Sequence, residues 1–367
     1  MKELRTGVTT GLCAAAAKAA AIMLLSSGPV GQVEITAKSG SAIMLEVTDI
    51  TRKNGLVTCA VVKDAGDDPD VTNGVKVFAA VCKTDTDHIE IDGGEGVGRV
   101  TKPGLKVPVG RAAINPVPMA MIQSAIQEVC GRFAYTGGIK AIISVSGGAE
   151  IAKKTMNSRL GIVGGLSILG TTGIVEPMSE RAVVETIKAQ IDVQMACGER
   201  SLLVTPGNYG RDFAEKELGL SIKEAIKCSN FIGETLDYIC MKGTRQITLI
   251  GHAGKLVKLA GGIMNTHSST ADCRMEIIAA HCALAGVGAD GVRQIMACVT
   301  TQAAIEIMTR LGVNGCVWKS IGQKIGFHLD ERTRGRIAIE YIVFTQEHGA
   351  LVRSKVGGDK TESGGSV

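Results

Sequence analysis

The sequence predicts an α+β N-terminal domain of antiparallel strands plus helices, followed by an α/β domain with a mainly parallel sheet flanked by helices. Three observations carry that expectation. The chain has 367 residues, beyond the size at which one hydrophobic core usually stops growing. Residues 33–92 are short alternating or β-branched runs broken by turn signals, the pattern of antiparallel strands. From about residue 136, apolar runs ending in glycine alternate with helical segments, the rhythm of strand and helix around a parallel sheet. The expected domains are 1–135 and 136–353, with 354–367 as a disordered tail.

The elements follow in order. Thr9 and Thr10 precede GLCAAAAKAAAIMLLSSG and Gly28-Pro29 follows it, so caps and a stop signal frame a first helix. Lys18 interrupts its apolar run, which is shorter than the roughly 20 residues of a membrane span, and a domain helix is favoured over a secretion signal. VEITA, IMLEVTDI, LVTCAVV, VKVFAAV and HIEID then read as strands, with turns at Ser39-Gly40 and Asn54-Gly55, the second a strong hairpin signal. Asn115-Pro116 starts a helix to about Cys130. AIISVSGG, SLLVTPGN and QITLIGHAG are brief buried strands, each leading into a helix. Ligands of such sheets gather at the carboxyl ends of strands, so the loops after Val145, Thr205 and Ile250 are the default site. Val183, Ile187, Ile191 and Met195 space the core face of a helix over about 180–195. Helices over about 271–285 and 291–311 come next, then RIAIEYIVF as a late strand or hairpin. The final SKVGGDKTESGGSV is polar and rich in Gly and Ser.

Composition narrows the function classes. Apolar residues make up 45% and charged residues 21%, with a mean hydropathy of +0.21, which is globular. A net charge of +4 spread along the chain argues against nucleic acid as a partner and leaves room for an anionic small molecule in a local basic pocket. Eleven cysteines show no C-x-x-C pair and have mostly apolar neighbours, as reduced thiols of a cytoplasmic protein do. No membrane partner is expected, and homo-oligomerisation is left open.

IEIDGGEGVG, at residues 89–98, looks like the first motif of common S-adenosylmethionine methyltransferases. That motif works through a helix that begins directly behind the glycines. RVTKPGLKVPVG follows instead, and Pro103, Gly104, Pro108 and Gly110 prevent such a helix, so a glycine-rich connection between strands is favoured. RLGIVGGLSILGTTGIVEPMS lacks both the P-loop ending and the dinucleotide spacing. It reads equally as a cover over a flat ligand or as a packed connection. GHAGK follows a strand and opens a helix, where backbone N–H groups with Lys255 and Lys258 are placed for a carboxylate or phosphate. MNTHSSTADCRME gathers Asn265, His267, Asp272, Arg274 and Glu276, yet no metal-ligand spacing, so no protein-bound metal is expected. TPGNYG sets Asn208 and Tyr209 at a strand end.

Eight segments occur in order: RTGVTTGLCAAAAKAA, KDAGDDPDVTNG, GGEGVGRVTKPGL, AINPVPMAMI, SVSGGAEIAKKTMNSRLGIVGGLSILGTTGIVEPMS, TPGNYG, SNFIGETLDY and LIGHAGKLVKLAGGIMNTHSSTADCRME. Together they resemble the cobalt-precorrin-5B C1-methyltransferases of anaerobic cobalamin biosynthesis. The resemblance implies transfer of a methyl group from S-adenosyl-L-methionine to ring carbon 1 of cobalt-precorrin-5B, giving cobalt-precorrin-6A, with cobalt arriving only as part of the corrinoid substrate. The family pattern has His where this chain has Asn73.

That chemistry assigns candidate roles. His252, His267 and Asp272 are placed to accept a ring proton. Asp67, Asp70, Gly94, Gly96, Gly164, Gly165, Thr171 and Thr172 are candidates for the methyl donor. Arg5, Thr9, Thr10, Lys153, Arg159, Asn208, Lys255 and Arg274 are candidates for a substrate rich in carboxylates. A nucleotide-cofactor oxidoreductase and a non-enzymatic tetrapyrrole-binding protein are the alternatives, and neither explains the ordered set.

Overall fold

The computed structural model describes residues 4–36, 40–219 and 225–358, with side chains at all of these except 12–14, 211 and 218. Two compact units divide the chain at Glu180 and Arg181. Among the described residues no helix is long and apolar enough to cross a membrane.

The first unit begins with β1 (Gly7–Val8), α1 (Cys13–Ser26), β2 (Gln32–Thr36), β3 (Ala42–Glu46), β4 (Thr48–Lys53), β5 (Leu56–Val62) and β6 (Lys76–Thr84). It continues with β7 (Ile89–Gly93), β8 (Arg99–Val100), α2 (Pro116–Arg132), β9 (Gly138–Val145), the short α3 (Gly148–Ala152), β10 (Ile162–Val163) and β11 (Ile174–Val175). Its main sheet has the order β4-β5-β6-β9-β7, antiparallel except for β7 beside β9. Asn54 and Gly55 join β4 to β5 at φ 52° and 76°, the left-handed pair that a two-residue hairpin requires.

Period-two alternation builds the core of this unit. Val77, Ala79 and Val81 of β6 and Ile139, Ala141 and Ile143 of β9 are buried on alternate positions. Ile122, Ile126 and Val129 of α2 join the same cluster, with α1 through Ala15, Ala16, Ala17, Ala19, Ala20 and Ala21, all fully buried. Alanine on nearly every side lets α1 sit close to the strands at interior packing density. The expected caps behave differently: Thr10 starts a single 3-10 turn over Thr10–Leu12, and its Oγ1 accepts from Leu169 N at 3.0 Å.

The strand AIISV does not open the second domain. As β9 it pairs with β6 and β7 inside the first sheet, which moves the division from 135/136 to 180/181. A strand ending in glycine before a helical turn looks the same locally in both settings; the partner, far away in sequence, decides.

The second unit contains α4 (Glu180–Ala196), β12 (Ser201–Thr205), α5 (Asn208–Leu218), β13 (Ile226–Lys227), α6 (Ile232–Lys242), β14 (Gln246–His252) and α7 (Ala253–Leu256). A 3-10 turn over Val257–Gly261 extends α7, and α8 (Arg274–Leu284), α9 (Ala289–Met296), α10 (Thr301–Arg310), α11 (Asn314–Thr333), β15 (Ala338–Thr345) and β16 (Gly349–Val356) follow. The sheet order is β13-β12-β14-β15-β16, parallel except for the β15-β16 hairpin. The helix expected over 291–311 is two, because Thr300 adopts extended backbone and its side chain accepts from Ala303 N at 3.2 Å to cap α10. Of the expected tail, 354–356 complete β16, Gly358 N donates to Gly335 O at 3.1 Å, and 359–367 lie outside the described residues.

Candidate functional site

In the second unit the connections leaving β12 and β14 fold to opposite faces. Behind β12, Phe213 and Ala214 of α5 pack with Leu203, Ile250, Ile342 and Phe344. Behind β13 and β14, residues of α6, α8 and α11 pack with Leu202, Val204, Ile247 and Leu249 on the other face. Taken in chain order, the parallel strands stand 2-1-3-4 across the sheet. Successive connections diverge at the carboxyl edge between the first and third strands, and the crevice expected at such a point is the usual ligand site of these sheets.

The residues meeting there are sequence-distant. The Tyr209 and His252 rings lie 6.4 Å apart, and the His252 and Phe344 rings meet in a T-shaped pair at 5.8 Å. Lys255 Nζ donates to Asn230 Oδ1 at 2.9 Å and to Pro206 O at 3.4 Å, tying the loops after β12, β13 and β14 together. Burial pushes the Lys255 ammonium below its ordinary pKa, because removing a cation from water disfavours the charged form. One turn on, Lys258 is almost fully buried, and its Nζ donates to Ala271 O at 2.7 Å and Thr266 O at 3.1 Å. Asp272 lies 3.7 Å from that ammonium and is gripped by Arg274 at 2.5 and 2.9 Å. The Arg274 hydrogen bonds hold the Asp272 carboxyl below the usual carboxylate range.

His252 is the cap of α7: its Nδ1 accepts from Gly254 N at 3.1 Å. The amide expected to receive a carboxylate is therefore already used by the imidazole, and α7 itself is one turn long. His267 is exposed and repeats the pattern, its Nδ1 accepting from Ser269 N at 3.1 Å. Asn208 is exposed at the first position of α5.

The candidates in the first unit are mostly engaged in holding that unit together. Gly96 has φ 74°, and a Cβ there would collide with the Val145 carbonyl; one on Gly165 would collide with Gly96. Leu166 N donates to Gly96 O and Gly98 N to Leu166 O, each at 2.9 Å. The two glycine-rich stretches are thus a backbone-on-backbone packed connection, and Gly94 is closed off by Ser144 and Ile142. Gly164, at φ 85°, faces open space, Thr171 is exposed, and Thr172 Oγ1 accepts from Ile174 N at 3.2 Å.

The acidic turn is similarly occupied. Lys63, 4% exposed, bonds Asp70 and Thr72. Asp67 accepts from Arg5 N at 2.8 Å, the Arg5 guanidinium pairs with Asp64, and Asn73 accepts from Ala65 N at 2.8 Å. The Arg5 pairing holds the Asp64 carboxyl at about 2. Lys153 is exposed and bridges Glu150 at 2.7 Å, and Arg159 is half-buried. Thr9 is buried with no partner for its Oγ1 among the described residues.

Three residues near the crevice escaped the sequence reading. Asn230 joins Lys255 to Thr266, while Thr205 and Thr301 have buried hydroxyls without a partner among the described residues. The Ser-Asn pair that follows β13 was the one available signal for Asn230.

Two family models match this chain. The family model described as CbiD matches residues 1–177, and that described as the CbiD C-terminal domain matches 265–355. A cobalt-precorrin-5B C(1)-methyltransferase of Ruminiclostridium cellulolyticum is 52% identical, over 94% of this chain and 90% of that protein. Proteins of the same name from Alkaliphilus metalliredigens and Methanocaldococcus jannaschii are 45% and 42% identical, over 97% and 91% of this chain and 94% and 92% of theirs. A solved cobalamin biosynthesis protein (cbiD) of Archaeoglobus fulgidus is 31% identical over 73% of this chain and 83% of that one, with a TM-score of 0.40. With both family models matched and close relatives spanning nearly its whole length, the chain belongs to the CbiD family.

Proposed function

We propose that this protein methylates ring carbon 1 of cobalt-precorrin-5B, giving cobalt-precorrin-6A, with S-adenosyl-L-methionine as methyl donor. The observation that carries the reading is the 52% identity, across 94% of the chain, to a relative bearing that enzyme name. The donor supplies an electrophilic sulfonium methyl, whose bond to sulfur breaks as the new carbon–carbon bond forms, leaving a neutral thioether. In-line alignment of two bound reactants accounts for most of what such an enzyme must do.

The strand-end crevice of the second unit is the proposed seat of that alignment. Lys255, Asn208 and the start of α5 offer donors for carboxylates, and the buried Thr205 hydroxyl at the end of β12 lacks a partner among the described residues. Arg274, fixed by Asp272, presents a second cation. Asp272 acts as an anchor for Arg274 and Lys258, since a carboxyl held below its ordinary pKa is a weak base. Cobalt belongs to the substrate.

The test is incubation of purified protein with methyl-labelled S-adenosylmethionine and cobalt-precorrin-5B. Label is expected in the corrinoid; folded protein and intact substrate without labelled product would overturn the reading. Lys255→Ala and Asp272→Asn are each expected to lower kcat/KM about tenfold or more, the scale of one charged hydrogen bond. Wild-type turnover in both would move the site elsewhere.

A further inference from the structure

We propose that His252 serves this reaction as a neutral hydrogen-bond donor to a ligand carboxylate, through Nε2–H, and not as a base. The inference rests on the proposed methyltransferase function and concerns what the crevice binds. Its geometric basis is the cap. An imidazole nitrogen that accepts from a backbone N–H must have a free lone pair, so Nδ1, 3.1 Å from Gly254 N, carries no proton. In a neutral ring the proton is then on Nε2. Taking up a second proton would place it on Nδ1, opposite the amide hydrogen, and break the cap of α7. Accepting a substrate proton at Nε2 is blocked because that nitrogen already bears one.

The surroundings hold the ring in that state. Tyr209 from α5 and Phe344 from β15 flank it, and burial disfavours its charged form. Among the described residues no partner is recorded for Nε2, which leaves its hydrogen for a ligand. The neighbouring polar groups are also donors: Lys255 Nζ ties the three loops together. Thr301 adds a buried hydroxyl without a described partner, beside Gly254. A set of donors at the strand-end loops selects an anionic oxygen. Both reactants carry carboxylates: the corrinoid on its peripheral side chains, the methyl donor at its amino-acid end.

Two substitutions separate donor from base. Asn at 252 keeps an acceptor near Nδ1 for the cap and lacks the distal donor; Gln carries an N–H near Nε2. Titration of the full-length protein with S-adenosylhomocysteine and, separately, with cobalt-precorrin-5B reads the two carboxylate sources. H252N is expected to weaken one of them about tenfold to a hundredfold, the scale of a hydrogen bond to a charged group, and H252Q to recover most of that loss. The ligand affected identifies the source. Nitrogen-15 shifts of the wild-type ring should show a proton on Nε2 at neutral pH. A proton on Nδ1 would overturn the proposal. So would unchanged binding of both ligands with a hundredfold or greater fall in kcat in both variants, the mark of a base. Ring shifts and binding constants need no turnover, so this outcome stays distinct from failure of methyl transfer.

Discussion

Lys63 places an ammonium inside the first unit, and Asp70 with Thr72 makes that position tenable. Burial works to raise the Asp70 carboxyl, but the hydrogen bonds from Lys63 and Thr72 outweigh it and hold the group below its ordinary 3.8. Its contribution is therefore complete above about pH 4 and fades as pH falls through the lower folded-state value. Asp70→Asn should lower stability at pH 7 by about 2–3 kcal/mol, less than for a fully buried pair because the Asp70 side chain is 27% exposed. It should also flatten the acid-side loss, and denaturant titrations at pH 7 and pH 3 measure both. Thiols give a second check. Cys59 and Cys228 are buried and pushed up to about 12, so a thiol reagent at neutral pH should modify exposed Cys197, Cys273 and Cys316 and reach the buried pair only on unfolding. At this scale the sequence showed residue types but few partners: Asp67 and Asp70 of KDAGDDPD read as candidates for a ligand, and Arg5 and Lys63 already engage them.

Among elements, the glycine-rich stretches around 96 and 165 support each other through direct backbone contact. Adjacent positions there differ sharply. Gly165→Ala sets a Cβ against the Gly96 backbone and should cost about 3 kcal/mol or more, at the upper end of single-site effects. Gly164→Ala meets nothing and should cost about 1–2 kcal/mol, the left-handed backbone penalty alone. Equal losses in thermal or denaturant unfolding would refute the packing account. Helices and hairpins were legible because their signals are local: the Asn54-Gly55 turn, Pro116 at the start of α2 and the apolar spacing of α4 all sit inside the elements they define. The pairing of β9 with β6 was hidden for the opposite reason, since no local pattern distinguishes AIISV in an antiparallel sheet from a strand of a parallel one.

At the scale of the whole molecule, the two largest core clusters among the described residues fall one in each unit, one centred on α1, α2 and the first sheet, the other on α6, α8, α11 and β14. Ile126→Ala and Ile321→Ala each remove a fully buried side chain and should cost about 2–5 kcal/mol in the unit that holds them. Hydrogen exchange measured by unit is expected to show the lost protection confined to residues 1–180 for the first and 181–358 for the second; equal loss in both would contradict two independent cores. In the second unit Phe344 reaches His252 only when β15 lies beside β14, and the chain travels from 253 to 337 between those strands. Bringing such distant segments together pays its loop-closure entropy before any pairing returns it. In the first unit β4, β5 and β6 pair in chain order, through the Asn54-Gly55 turn and the connection over residues 63–75, far shorter than the 253–337 excursion. During synthesis the first unit can therefore collapse early, whereas the crevice completes only after β15 has emerged, making it one of the last features of the protein to form.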